Sequence, residues 1–302
     1  MCFEEFISAV EWKVKERVNA SVFLDKVKKN NGMVFHGLGI TVPGSQNAVP
    51  VFRLEEYYEL YLTTGMGIDA IAEDIIAKSR DCRNSISVDI SWFSSYQNVR
   101  DNIFYKLVNK EANKSMLEDI PYSDFLNLAK VYYVLIGYTE EGTATAMVYH
   151  KHLQMWGITE SELKEQAERN MDREHSVHMK RLDEYMEEIM GAGFMECMMQ
   201  EQGEDTRIPM YVVSNKEHCN GASAICCKGV LKEFADTCES DVVILPSSVH
   251  ETILVPLKAD DKDIAGLRDI VKQINHTEVA LTERLSDNVY VYHRDSDTIE
   301  MA

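Results

Sequence analysis

The stretch at residues 241–256, DVVILPSSVHETILVP, sets two aliphatic runs around a polar centre. Residues 242–245 and 252–255 are β-branched or aliphatic, which suits a pleated sheet buried on at least one face. Pro246 has a fixed φ and no N–H, and Ser247 and Ser248 bond readily to nearby backbone, so residues 246–248 read as the turn of a hairpin. His250 and Glu251 follow just past it. An antiparallel hairpin is therefore the expected unit of the fold, and the chain's densest cluster of chemically capable side chains sits at its end.

Working outward, the same unit recurs. Residues 263–274 carry a helical pattern after that hairpin, and 289–293 and 298–301 form a last hairpin around Asp295-Ser296-Asp297. Upstream, 210–214 and 222–227 flank Asn220-Gly221 and precede a helix at 230–238. Farther back, strands near 126–136 and 143–150 flank Glu140-Glu141-Gly142, and Thr159-Glu160-Ser161-Glu162 is a capping box that opens a helix. The expectation is an α+β fold, with a mostly antiparallel sheet built from repeated hairpin-plus-helix (ββα) units and helices packed on it.

At the N-terminus, Phe3, Phe6, Ile7, Val10, Val14 and Val18 recur at helical spacing. Strands at 22–28 and 33–42 flank Asn30-Asn31-Gly32, a tight-turn sequence, and 49–53 offers a third strand. Helical patterns follow at 54–62 and 68–78, and a third is read from Val99, Ile103, Phe104, Leu107 and Val108. Residues 172–207 hold ten acidic and four basic residues and are rich in methionine. Within them Met179, Leu182, Met186 and Ile189 fall on one expected helical face, followed by a glycine-interrupted linker. The expected organisation is an N-terminal α+β region (1–171), this acidic Met-rich helix and linker (172–207), and a ββαββαββ domain (208–302).

Composition narrows the function. Fifty acidic residues against 31 basic give the 302-residue chain a formal charge of −19, which repels nucleic-acid phosphates and anionic lipid. The largest cationic cluster is Lys26, Lys28 and Lys29. No run reaches the roughly 18 apolar residues of a membrane helix. Seven cysteines, an odd number, and an N-terminus interrupted by Glu4, Glu5 and Glu11 point to reduced thiols in the cytoplasm.

Two chemical readings compete at the 241–256 hairpin. Ser248 and His250 share a strand face if the strand runs on through them, which places a hydroxyl near an imidazole; with Ser247 as alternative nucleophile and Glu251 as orienter, this is a serine-type hydrolase arrangement. The other reading is a hydrogen-bonded turn, and no Gly-x-Ser-x-Gly elbow accompanies the serines. His175 and His178, after Asp172 and Glu174, are candidate metal ligands without the His-Glu-x-x-His spacing of catalytic zinc helices. His150 and His152 alternate at an expected strand end. Cys219, Cys226, Cys227 and Cys238 with His218 lack a Cys-x-x-Cys clamp. Gly37-x-Gly39 lacks the third glycine of a dinucleotide fingerprint and no phosphate-binding loop is present, so no cofactor is expected. The Met179, Leu182, Met186, Ile189 face is a candidate surface for a protein partner, since methionine re-packs around different ligands.

Two longer segments carry a resemblance. HLQMWGITESELKEQAERN (152–170) and SNKEHCNGASAICC with DVVILPSSVHETILVP (within 214–256) resemble an uncharacterised domain-of-unknown-function family of clostridial bacteria. A weaker similarity, in a Trp-Gly-x-Thr-Glu helix start, an Asn-terminated helix and an Ala-Ser strand, runs to the uncharacterised YtpQ-like family. The resemblance implies a bacterial, cytoplasmic setting and supplies no catalytic residue. With every catalytic template incomplete, the leading expectation is a non-enzymatic protein-binding or adaptor module, and the alternative is the serine-type hydrolase.

Overall fold

The computed structural model describes residues 1–41, 50–85, 90–139, 142–174, 176–190, 209–246, 248–257 and 264–302. The chain divides into two compact units, Met1–Val99 and Arg100–Ala302. The division falls between Val99 and Arg100, whereas composition placed boundaries at 171/172 and 207/208.

In the first unit, α1 (Phe3–Arg17) buries Phe6, Ile7, Val10 and Val14, and the Glu5 carboxylate accepts the exposed Cys2 N–H at 3.0 Å. β1 (Ser21–Lys28) and β2 (Val34–Thr41) form an antiparallel hairpin, and β3 (Val51–Arg53) pairs with β2 on its other side. The turn uses Asn31 at φ 57° and Gly32 at φ 70°, the left-handed positions that asparagine and glycine tolerate. α2 (Leu54–Thr64) and α3 (Ile68–Ser85) complete a core of Phe6, Leu38, Ile40, Leu54, Ile71 and Ile75. Two short helices, α4 (Ile90–Ser94) and α5 (Tyr96–Val99), end the unit.

The second unit holds two antiparallel sheets. In one, β4 (Ile103–Asn109) and β5 (Tyr122–Phe125) pair with β6 (Leu128–Thr139), which also pairs with β7 (Gly142–Met147); the one-turn α6 (Lys114–Leu117) lies between β4 and β5. α7 (His150–Trp156) and α8 (Glu160–Glu174) follow, and buried Asn170 of α8 donates to the carbonyls of Arg100 and Ile103 at 2.7 and 2.8 Å. The other sheet has six strands in the order β13-β12-β10-β11-β9-β8, namely β13 (Thr298–Met301), β12 (Tyr290–His293), β10 (Asp241–Leu245), β11 (Thr252–Leu257), β9 (Tyr211–Asn215) and β8 (Val177–Arg181). Strand alternation sends Val242, Ile244, Leu254 and Val213 to one face, where α10 (Val230–Cys238), a 3-10 helix (Gly221–Cys226) and Leu107 and Leu128 of the first sheet cover them. Val243, Leu245 and Val255 point to the other face, under α11 (Ile264–Thr277). A helix α9 (Leu182–Met190) joins the β8 edge to residues beyond.

The fold class is as expected, α+β with antiparallel sheets, and hairpin-plus-helix units occur at β6–β7 with α8 and at β10–β11 with α11. Four local expectations are corrected. Residues 103–109 are a strand, not a helix: this run is buried on both faces, so it loses the period of two, and its apolar spacing imitates a helical one. Residues 221–226 are a 3-10 helix, because the small buried Ala222, Ser223 and Ala224 tuck under the sheet while β9 takes β11 and β8 as neighbours. Met179 lies on β8 rather than on a helix, and in the β8–β9 register it joins Val213 on the face opposite His178. His150 and His152 lie on α7, not at a strand end. The linker expected after α9 and the Glu140-Glu141 turn lie outside the described residues.

Candidate functional site

At the hairpin end the chain between β10 and β11 is a loop laced to its surroundings rather than a tight turn. Ser248 bridges Arg284, the Val249 N–H donates to the Glu283 carbonyl at 2.8 Å, and the Ser286 N–H donates to the Pro246 carbonyl at 2.9 Å. Ser248 is buried, and its hydroxyl oxygen accepts the His250 backbone N–H at 3.0 Å. His250 Nδ1 accepts the Asn220 N–H at 3.3 Å, so in the neutral ring Nε2 carries the proton, 3.8 Å from Glu283 Oε1. The Ser214 hydroxyl donates to the His250 carbonyl at 2.7 Å. Gly221 is wedged between them: a Cβ there would sit 2.2 Å from Ser214 Oγ and 2.6 Å from the His250 carbonyl oxygen.

A nucleophile needs its hydroxyl on the base and the base on an orienter. Among the described residues no hydrogen bond joins Ser248 to the His250 ring, and the ring's free acceptor is already used by backbone. Glu251 bears instead on Tyr185, whose phenol is raised by burial first and then by the charges of Glu251 and Glu188. Ser247 lies outside the described residues. The arrangement fixes a junction between β9, the 3-10 helix and the hairpin loop.

Beside it, the His178 and His218 rings meet edge to face at 5.7 Å between centroids, and Tyr185 lies 5.6 Å from His218. Lys180 holds Glu188 at 2.5 Å and, first among the causes, keeps that carboxyl below its ordinary value. His175 is outside the described residues, and among those that are described no three His, Cys, Asp or Glu side chains are placed to hold a metal. The pairing of His178 with His218 was not visible in sequence, where they are far apart and only the turn-forming Asn215–Asn220 stretch hints that the chain returns. Leu182 and Met186 are half-buried on α9, while the side chain of Ile189 is outside the described residues. Burial pushes the Cys226 and Cys227 thiols up to about 12, which suits packing rather than nucleophilic chemistry.

The first unit contains a second, quite different region. In the β1–β2–β3 register, Phe23, Asp25 and Val27 share the outer face of the sheet with Phe35, Gly37, Gly39, Val51 and Arg53. The inner face, with Val22, Leu38, Ile40 and Phe52, belongs to the helix-covered core. The outer face stays open: Phe23 is 37% and Val51 39% exposed. Gly37 and Gly39 form its floor, with Val51 and Phe23 lying over them where a Cβ would have been. Lys29 and Arg53 each stand 5.5 Å from the Phe35 ring, giving the apolar strip a cationic border. The hairpin also exposes Leu24 (38%) in the middle of β1 and Val34 (47%) at its tip. Sequence reasoning missed this face because β1 (SVFLDKVK) mixes apolar and charged residues in both of its alternating series, so neither series reads cleanly as core or as solvent face.

No curated protein and no solved structure matches the chain. A family model described as "Family of unknown function (DUF5688)" matches residues 3–294. With nearly its whole length matched, the chain belongs to that family of unknown function.

Proposed function

We propose that the chain is a protein-binding module and that the open face of the β1–β3 sheet is where it binds. The observation that carries this reading is the contiguous strip of Phe23, Val27, Phe35 and Val51 on one pleated surface. Exposed apolar residues on a soluble protein are normally scattered, and a joined strip with a polar rim marks an interaction surface. The strip sits on strands that a helix-backed core holds in place, so it is presented without loop ordering at the moment of binding. Its cations, Lys29 and Arg53, favour a partner unlike the chain's own acidic surface. A bacterial, cytoplasmic setting belongs to the same proposal: the sequence resemblance implies it, and an odd number of cysteines, seven, suits reduced thiols. Among the described residues the hairpin end offers no observation in favour of the hydrolase alternative.

The test is an affinity capture from cells that produce the protein. Full-length wild type is compared with Phe23→Ser/Val51→Ser on the open face and with Ile274→Ser on exposed α11. Loss of the captured proteins only with the face variant, at a melting temperature within about 2 °C of wild type, is the expected result. Identical capture by all three overturns the proposal.

A further inference from the structure

The edge of the same sheet specifies a kind of partner. Lys29 N–H donates to the Met33 carbonyl at 2.7 Å, and antiparallel pairing alternates inward-bonded with outward-turned residues. Val27, Asp25 and Phe23 therefore bond toward β2, while Lys26, Leu24 and Val22 turn their backbone groups away from it. The other side of β2 agrees with this phase. His36, the register partner of Lys26, sends its N–H away from β1 to the Glu55 carboxylate at 2.9 Å. Burial opposes ionisation of Glu55, but hydrogen bonds from the His36 ring and N–H outweigh it and hold the carboxyl below its ordinary value.

Among the described residues β2 is the only strand beside β1, which is eight residues long. An edge of that length, about 26 Å, is a template for one more strand. Natural edges are often blunted with lysine, and here Lys26 and Lys28 stand on one side of β1 with Lys29 at its end. Those charges oppose pairing with the β1 of a second copy, because like charges then face each other. For an acidic strand they are attractive, and they form the largest cationic cluster in a chain of net charge −19.

We infer that the partner docks as an extended acidic segment, added antiparallel or parallel to the outer edge of β1, with apolar side chains toward Phe23 and Val27 and carboxylates toward Lys26 and Lys28. This rests on the protein-binding reading above. Backbone pairing supplies affinity, and the alternation of the two side-chain rows supplies selection, as in other strand-addition complexes.

The experiment uses the full chain and two fluorescein-labelled peptides of about ten residues, long enough to span the edge, one alternating glutamate with valine and one alternating lysine with valine. Fluorescence anisotropy should show binding of the glutamate peptide, weakening as salt rises. Lys26→Glu/Lys28→Glu should weaken it at least tenfold and create binding of the lysine peptide. Leu24→Pro, which removes an outward N–H without touching the β1–β2 ladder, should also weaken it at least tenfold. Failure of the glutamate peptide to bind, with partner capture still lost in the Phe23→Ser/Val51→Ser variant, overturns the acidic-strand inference and leaves protein binding standing. If capture is indifferent to the open-face variant as well, both fail. Concentration-dependent dimers abolished by Leu24→Pro overturn the inference in favour of a second copy of the chain.

Discussion

The six-stranded sheet of Arg100–Ala302 and the three-stranded sheet of Met1–Val99 are built from similar aliphatic strands and put to opposite use. In the larger sheet both faces are covered, Val242, Ile244 and Leu254 on one and Val243, Leu245 and Val255 on the other. In the smaller one, helices cover the face of Leu38 and Ile40 and leave Phe23 and Val51 in water. Strand composition alone therefore does not say whether a face is core or contact surface. What decides is whether the topology supplies a second layer: the larger sheet has both α11 and the 3-10 helix with α10, where, among the described residues, the smaller has α1, α2 and α3 in the core on one side.

The sharpest way to break this contrast is to truncate one leucine in each sheet. Leu254→Ala opens a cavity in a closed core and should cost about 2–5 kcal/mol in urea unfolding, whereas Leu24→Ala on the exposed strand β1 should change stability by less than about 0.5 kcal/mol. Equal effects would mean that the two sheets are not differently covered. A glycine pair gives the next largest difference. Gly221→Ala meets backbone and the Ser214 hydroxyl and should destabilise by about 1–3 kcal/mol, while Gly39→Ala meets first the Phe23 ring, an exposed side chain that can swing outward, and should stay within about 1 kcal/mol.

Two smaller effects sharpen the account of the closed unit. The buried Tyr290 hydroxyl donates to Asn127 Oδ1 at 2.6 Å, and Asn127 Nδ2 donates to Ser286 Oγ, so a polar seam ties β12 to the turn before β6. Tyr290→Phe leaves an acceptor unmatched and should cost about 1–2 kcal/mol, read from the same unfolding curves. His293 lies between Glu300 and Asp241, each 2.9 Å from a ring nitrogen, and hydrogen bonds to Glu300 and then Asp241 raise its pKa. A raised histidine stabilises fully below its unfolded pKa, about 6.5, and the contribution fades as pH climbs through the folded value. Asp241, lowered chiefly by the Arg294 N–H, keeps its charge throughout that window. The melting temperature of wild type should therefore exceed that of His293→Gln by more at about pH 6 than at about pH 9, and an equal gap would remove the ion pairs from the account.

Much of this fold was legible in sequence where local chemistry is strict. The β1–β2 turn announces itself because Asn31 and Gly32 occupy left-handed backbone, and the hairpins at 241–257 and 290–301 show aliphatic runs around polar turns. Local rules failed where tertiary cover rewrote them: β4 loses alternation by being buried on both faces, and β8 becomes an edge strand only because β9 offers a neighbour. The surroundings of the candidate site were illegible for the same reason. Ser248 and His250 are two residues apart, but the atoms that settle their roles come from Ser214, Asn220, Glu283 and Arg284, none of which the local stretch contains.

The central claim, that the open β1–β3 face is where the chain meets another protein, is tested most directly by photo-cross-linking in the cells that produce it. A benzophenone amino acid replaces Phe23 in one version of the full chain and Ile274, equally accessible on α11, in another. The account predicts a discrete adduct from position 23 that is absent at position 274 and is suppressed by Lys26→Glu/Lys28→Glu. No adduct at 23, or the same adducts from both positions, would contradict it.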